Sequence, residues 1–125
     1  MRAPKLVLIV EDDRVIRVLT AELLLENGVG ILEAADGEEA LHLLERRAVE
    51  IGAIITDITM PGTCSGIDLA QAAMARWPWI SILVNSGNYS QRPPGLSQQA
   101  QFLSKPWEPE AVLDFTRRAV RSDFG

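Results

Sequence analysis

Five short apolar runs recur along the chain at similar intervals: Lys5 to Val10, Val29 to Ala34, Ala53 to Thr56, Ile80 to Val84 and the weaker Gln101 to Ser104. Their apolar residues are mostly consecutive rather than alternate, most clearly in LVLIV and AII, so both faces must be covered. Amphipathic segments separate the runs. Strands alternating with helices in this way specify a parallel sheet packed on both sides, and the pattern predicts an α/β, doubly wound, five-stranded fold.

The segments between the runs read as helices. From Arg14 to Glu26 the residues Ile16, Leu19 and Leu23 define one face, widened by Val15 and Val18, before Asn27-Gly28 supplies a stop. Asp36-Gly37-Glu38-Glu39 opens the second helix with acids at its positive end; Ala40, Leu43 and Leu44 would face inward, and Arg46-Arg47 close it. The third runs from about Ile67 to Arg76 on an inward face of Ile67, Ala70 and Met74, and the last starts near Pro109 and buries Val112, Phe115 and Ala119. One connection breaks the rhythm: between the fourth and fifth strands, GNYSQRPPGLSQQA contains Pro93-Pro94-Gly95, so a fourth helix there is expected to be short or absent.

Composition narrows the function. At 125 residues the chain fits a single domain, and the expected domain covers 1–125. A formal net charge of -5 with scattered basic residues argues against nucleic acid as a direct partner. The longest apolar runs are far shorter than the ~20 residues of a membrane span, and no signal-peptide core follows MRAPK, so a cytoplasmic location is expected. One cysteine, Cys64, and one histidine, His42, rule out an intrachain disulfide and a Cys/His zinc set. Any metal site must use oxygen ligands.

The strand ends carry the chemistry. Ligands bind open parallel sheets at the carboxyl edge, and there the first strand ends in Glu11-Asp12-Asp13 and the third in Asp57. Two carboxylates at an illustrative 4 Å repel by ~4 kcal/mol at an effective dielectric near 20. Such a cluster calls for a cation, and few, hard, solvent-open oxygens suit Mg²⁺. Asn85-Ser86-Gly87 ends strand four with an amide and a hydroxyl, and Ser104-Lys105-Pro106 ends strand five with an ammonium. Together these make a site for a metal and a phosphoryl group on a carboxylate, with Asp57 as nucleophile and Mg²⁺ and Lys105 neutralising the oxygens.

Five motifs in order, LVLIVEDD with Arg17, EAADGEEAL, DITMPG followed by Gly66, SILVNSG, and FLSKPW, resemble the receiver domain of two-component response regulators over essentially the whole chain. The resemblance implies a flavodoxin-like strand order 2-1-3-4-5. It implies Asp57 as the phosphoacceptor, served by a histidine kinase or phosphotransfer protein, and Mg²⁺ held by Glu11, Asp12, Asp57 and the Thr59 carbonyl. Lys105 would contact a phosphate oxygen, with a cis bond to Pro106. Ser86 and Phe102 match the switch residues, although a shift of one would put Asn85 in place of Ser86. A signalling protein that is monomeric or weakly dimeric, with slow self-dephosphorylation near Thr59 and Asn88, follows rather than a metabolic enzyme.

Two departures stand out. Gly66 lies nine residues after Asp57 where the family has its glycine at eight, so the loop is one residue longer than the family's, and the proline-rich stretch replaces part of the family's usual signalling face. Two other functions compete. A degenerate receiver acting as a constitutive binding module is one; a Mg²⁺-dependent phosphatase is the other, opposed by Thr59 where such enzymes carry a second acid. Asp13 reads as a helix cap, Trp77, Trp79 and Trp107 as packing or partly exposed aromatics, His42 as inert, and Cys64 as a thiol without a redox role.

Overall fold

The computed structural model describes residues 5–87, 91–105 and 108–120. Its elements run β1 (Leu6–Val10), α1 (Arg14–Glu26), β2 (Ile31–Ala34), α2 (Gly37–Arg47), a 3₁₀ turn (Ala48–Glu50), β3 (Ile51–Asp57), α3 (Gly66–Arg76), β4 (Ser81–Ser86), β5 (Gln101–Ser104) and α4 (Pro109–Val120). All strand pairs are parallel and the order is β2-β1-β3-β4-β5, the expected flavodoxin-like arrangement. Successive side chains of a strand point to opposite faces, and each face of the sheet carries its own core. Leu8, Val10, Ile54 and Val84 pack with Ala40 and Leu44 of α2 and Leu69 and Ala73 of α3. Val7, Ile9, Ile55 and Leu83 pack with Leu24 of α1 and Val112 and Phe115 of α4.

The strand boundaries differ from the apolar runs where backbone hydrogen bonds intervene. β3 begins at Ile51 because that residue pairs with Leu6, and it extends to Asp57, which pairs with Asn85. Val29 belongs instead to the end of α1: its N–H reaches the Leu24 carbonyl while Gly28, at φ 81°, donates to Leu25, a Schellman closure. Ile80 donates to the Trp77 carbonyl in a turn before β4.

Helix α1 is rotated relative to its expected face. Thr20, Ala21 and Leu24 are buried, whereas Val15, Val18 and Leu19 are exposed, Leu19 by 59%. Its apolar residues encircle much of the helix, so periodicity allows more than one inward stripe; the tethers of Arg17 decide. Its guanidinium donates to the Glu11 carbonyl at 2.8 Å and to Glu33 Oε1 at 3.2 Å. Thr20 tolerates burial because its hydroxyl donates to the Ile16 carbonyl. In α2 the inward pair is Ala40 and Leu44, with Leu43 only partly covered; in α3 Leu69 and Ala73 join Ala70, leaving Ile67 and Met74 at the margin. Val112, Phe115 and Ala119 of α4 are buried as expected.

No helix lies between β4 and β5 among the described residues 91–100. Pro93 to Leu96 form a turn closed from Leu96 N–H to the Pro93 carbonyl, with Gly95 at φ 89° after Pro94, the geometry of a type II turn. The connection still covers the sheet. Leu96 and Ala100 enter the core beside Phe102, and Gln71 of α3 donates to the Gly95 carbonyl at 3.1 Å. Among the described residues, no helix is long and apolar enough to cross a membrane.

The lengthened β3–α3 loop returns to its origin. Gly66 N–H donates to the Ile58 carbonyl at 2.8 Å, and a Cβ on Gly66 would collide with the Asp57 carbonyl oxygen. Backbone cannot yield as a flexible side chain does. Gly66→Ala is therefore expected to cost about 1–3 kcal/mol, the range for overpacking, read as a lower urea midpoint at unchanged slope.

Candidate functional site

The register brings the acids together. Val10 pairs with Thr56 across the central strands, so Glu11 and Asp57 leave the sheet as neighbours at its carboxyl edge. Carboxylate oxygens of Glu11, Asp12 and Asp57 all lie within 4.8 Å of one another. Lys105, arriving from β5, donates from Nζ to Glu11 Oε1 at 3.1 Å and stands 3.5 Å from Asp57 Oδ2. The backbone supplies further donors. Asp13 N–H reaches Glu11 Oε2 at 3.1 Å, and Ile58 N–H reaches Asp57 Oδ1 at 2.8 Å.

Asp13 does not join the cluster. Its Oδ1 accepts from the N–H groups of Val15 and Ile16, capping α1 as expected. Ser86 is buried at the end of β4, where its carbonyl accepts from the Lys105 N–H at 2.9 Å. Asn85 lies opposite Asp57 in the strand register. Thr59 is exposed just beyond Asp57, and Phe102 is half-buried against the core. The expected cis bond from Lys105 to Pro106, together with Asn88 and Trp107, falls outside the described residues. His42 is exposed, Trp77 is buried, Trp79 is 48% exposed, and Cys64 is half-buried with its thiol pushed up by that burial.

Two residues escaped the sequence reading. Glu38, read as a favourable charge at the start of α2, also accepts from Thr63 through both the N–H at 3.0 Å and the hydroxyl at 2.8 Å. Those bonds hold its carboxyl below the usual range and tie the loop after Asp57 to α2. A capping box between Ser65 and Asp68 secures the loop's other end. Asn85 was weighed only as an alternative switch residue, and is buried. Nothing local in the sequence announces either role, because both depend on contacts between distant segments.

A cavity of about 490 Å³ lies near the opposite edge of the sheet, lined by Met74, Ile80, Gln101 and Arg118 among others. It gathers no acidic cluster. The acidic cluster lies instead at the carboxyl edge, where three hard carboxylates, one of them exposed, form a donor set that fits a divalent cation such as Mg²⁺.

Burial is the leading cause that raises both Glu11 and Asp57 above their ordinary range, against the opposing pull of Lys105. A carboxyl whose folded pKa exceeds its unfolded value holds its proton longer in the folded state, so its contribution to stability falls as pH rises from the ordinary carboxylate range, about 4, through the raised value. Asp57→Asn removes that cost. In metal-free buffer at neutral pH the variant is expected to melt at higher temperature than the parent, and to lose less stability as pH rises from the ordinary carboxylate range; a lower melting temperature would mean that the Lys105 ion pair outweighs burial.

Comparison with known proteins matches this architecture. The profile of the response regulator receiver domain aligns with residues 7–117. The chain is 33% identical over 115 residues to the response regulator protein FleR of Pseudomonas aeruginosa, covering 90% of the chain and 24% of FleR. It is 44% identical over 90 residues to the transcriptional regulatory protein PdtaR of Mycobacterium tuberculosis, covering 71% of the chain and 42% of PdtaR. It thus spans less than half the length of either relative. A response regulator receiver protein from Pseudomonas putida superposes with a TM-score of 0.81 at 29% identity, over 94% of this chain and 99% of that one. With this fold, this acidic edge and these relatives, the chain belongs to the response regulator receiver family.

Proposed function

We propose that residues 1–125 act as one phosphorylation-controlled signalling domain, accepting a phosphoryl group on Asp57 from a histidine kinase or phosphotransfer protein. The observation that carries this reading is the convergence of Glu11, Asp12, Asp57 and Lys105 on one edge of the sheet. Glu11, Asp12, Asp57 and the backbone carbonyl of Thr59 would hold Mg²⁺. Bound there, the ion supplies positive charge for the oxygens of a transferring phosphoryl group. An oxygen of Asp57 forms the new P–O bond as phosphorus separates from the donor atom, which leaves with the bonding pair. Lys105, 3.5 Å from Asp57 Oδ2, would balance the added oxygens, and the Ile58 N–H on Oδ1 keeps the other carboxylate oxygen oriented.

The acquired phosphate brings about -1.5 to -2 charge units. Ser86, tied through its carbonyl to Lys105, is the hydroxyl assigned to the switch, and Phe102 the aromatic that follows it. Moving a two-state switch from 1:99 to 99:1 requires ~5.5 kcal/mol of differential stabilisation. The turn at Pro93 to Leu96 would give the downstream partner a different surface from a helical one. Slow self-dephosphorylation returns the resting state, with Thr59 beside the water's approach; this is signalling rather than metabolic turnover.

Phosphodonor docking has a suitable surface close by. Val15, Val18 and Leu19 expose an apolar stripe on α1 immediately after the acidic edge, and exposed apolar patches of this kind mark protein contacts.

Beryllofluoride with Mg²⁺ is expected to shift the amide resonances of Asp57, Ser86 and Lys105 in ¹⁵N NMR spectra. Unmoved spectra would overturn phosphoacceptance, and normal signalling in cells by Asp57→Asn would select the constitutive binding module instead. Leu19→Glu should slow phosphotransfer from the kinase at least tenfold, a loss of about 1.4 kcal/mol, while the rate with acetyl phosphate stays the same. Equal slowing with both donors would remove α1 from the docking surface.

A further inference from the structure

Asn85 combines two properties that the phosphorylation chemistry leaves unused. It is 5% exposed, and its Oδ1 is the one buried side-chain oxygen or nitrogen among the described residues with no hydrogen-bond partner. Leaving such a buried acceptor unmet is unfavourable, because it has given up its bond to water and gained none. Opposite Asp57 in register, Asn85 shares the sheet face of Ile55 and Leu83 and borders a small cavity with Glu11, Ile16, Thr20 and Ile55.

The lining defines what the cavity can take. Thr20 already donates its hydroxyl proton to the Ile16 carbonyl at 2.8 Å, so only its lone pairs remain. Glu11 accepts from Lys105 and from the Asp13 N–H and retains lone pairs on both oxygens. The isoleucines offer nothing polar. Every spare polar atom from the side chains of Glu11, Thr20 and Asn85 Oδ1 is thus an acceptor, and the missing group is a small double donor. The volume of about 10 Å³ is on the scale of a single water.

We propose that one water occupies this cavity, donating one hydrogen to Asn85 Oδ1 and the other to the Glu11 carboxylate, which makes Asn85 a positioning residue for the cation site. The inference rests on the reading that Glu11, Asp12 and Asp57 hold Mg²⁺. By bridging to Glu11 from beneath, the water restrains the carboxylate while Lys105 and Asp13 N–H hold it from the other sides. Partners one step behind a metal ligand influence affinity by about 10–100-fold, and a bridge through water belongs at the low end.

Two variants separate this role from packing. Asn85→Leu fills the cavity and expels the water; Asn85→Ala enlarges it and admits solvent to Glu11. In NMR titrations with MgCl₂ alone, Asn85→Leu is expected to bind about tenfold more weakly than the parent while its melting temperature holds or rises. Asn85→Ala is expected to keep most of the affinity despite a lower melting temperature. A high-resolution crystal structure of the parent should hold one water within hydrogen-bonding distance of both Asn85 Oδ1 and Glu11.

A dry cavity with the Asn85 amide N–H donating directly to Glu11 would overturn the proposal, as would unchanged Mg²⁺ affinity in Asn85→Leu or affinities that simply follow stability. If the parent spectrum ignores MgCl₂, the cation reading itself fails and the positioning role falls with it; crystallography still reads the water separately.

Discussion

Three carboxylates held at the edge of one sheet, with a single ammonium to offset them, set the terms for the rest of this molecule. Alone they repel, and two of them are removed from much of the solvent that would screen them. The parallel register of β1 and β3 imposes their closeness, since Val10 and Thr56 pair and the next residues have no separate course to take. Cores on both faces of the sheet supply the free energy that maintains this unfavourable arrangement. The acidic edge is thus a locally unfavourable feature held in place by the rest of the fold.

Much of the surrounding chain serves to hold that edge. Arg17 bonds the carbonyl of Glu11, Asp13 caps the helix that follows, Gly66 packs against the carbonyl of Asp57, and Glu38 holds the loop between them from α2. The loop after β3 brings Gly66 back to bond the Ile58 carbonyl. Fixing α1 through Arg17 also turns Val15, Val18 and Leu19 outward, so the tether that steadies the acidic edge leaves an apolar surface beside it.

Among the described residues 91–100, the connection between β4 and β5 is built of turns rather than a helix. Pro93 and Pro94 deny the backbone donors that a helix requires, yet Leu96 and Ala100 still reach the core. Coverage of a sheet is a matter of apolar area, and a loop can provide it when its few apolar side chains fall where the sheet is bare. The backbone of this connection is therefore less constrained by the core than the strands it joins.

The amino-acid sequence alone determined the alternation of strands and helices, the caps at Asp13 and Gly28, the break at Pro93-Pro94, and the identity of the acids and the lysine, because these depend on local backbone preference and on which side chains avoid water. The strand order came through family likeness and agrees with the observed sheet. Tertiary structure alone decided the rotation of α1, the grip of Glu38 on Thr63 and the burial of Asn85 opposite Asp57. The reason is physical: an amphipathic pattern states that a side chain needs a neighbour, while only the packed chain specifies which neighbour it meets.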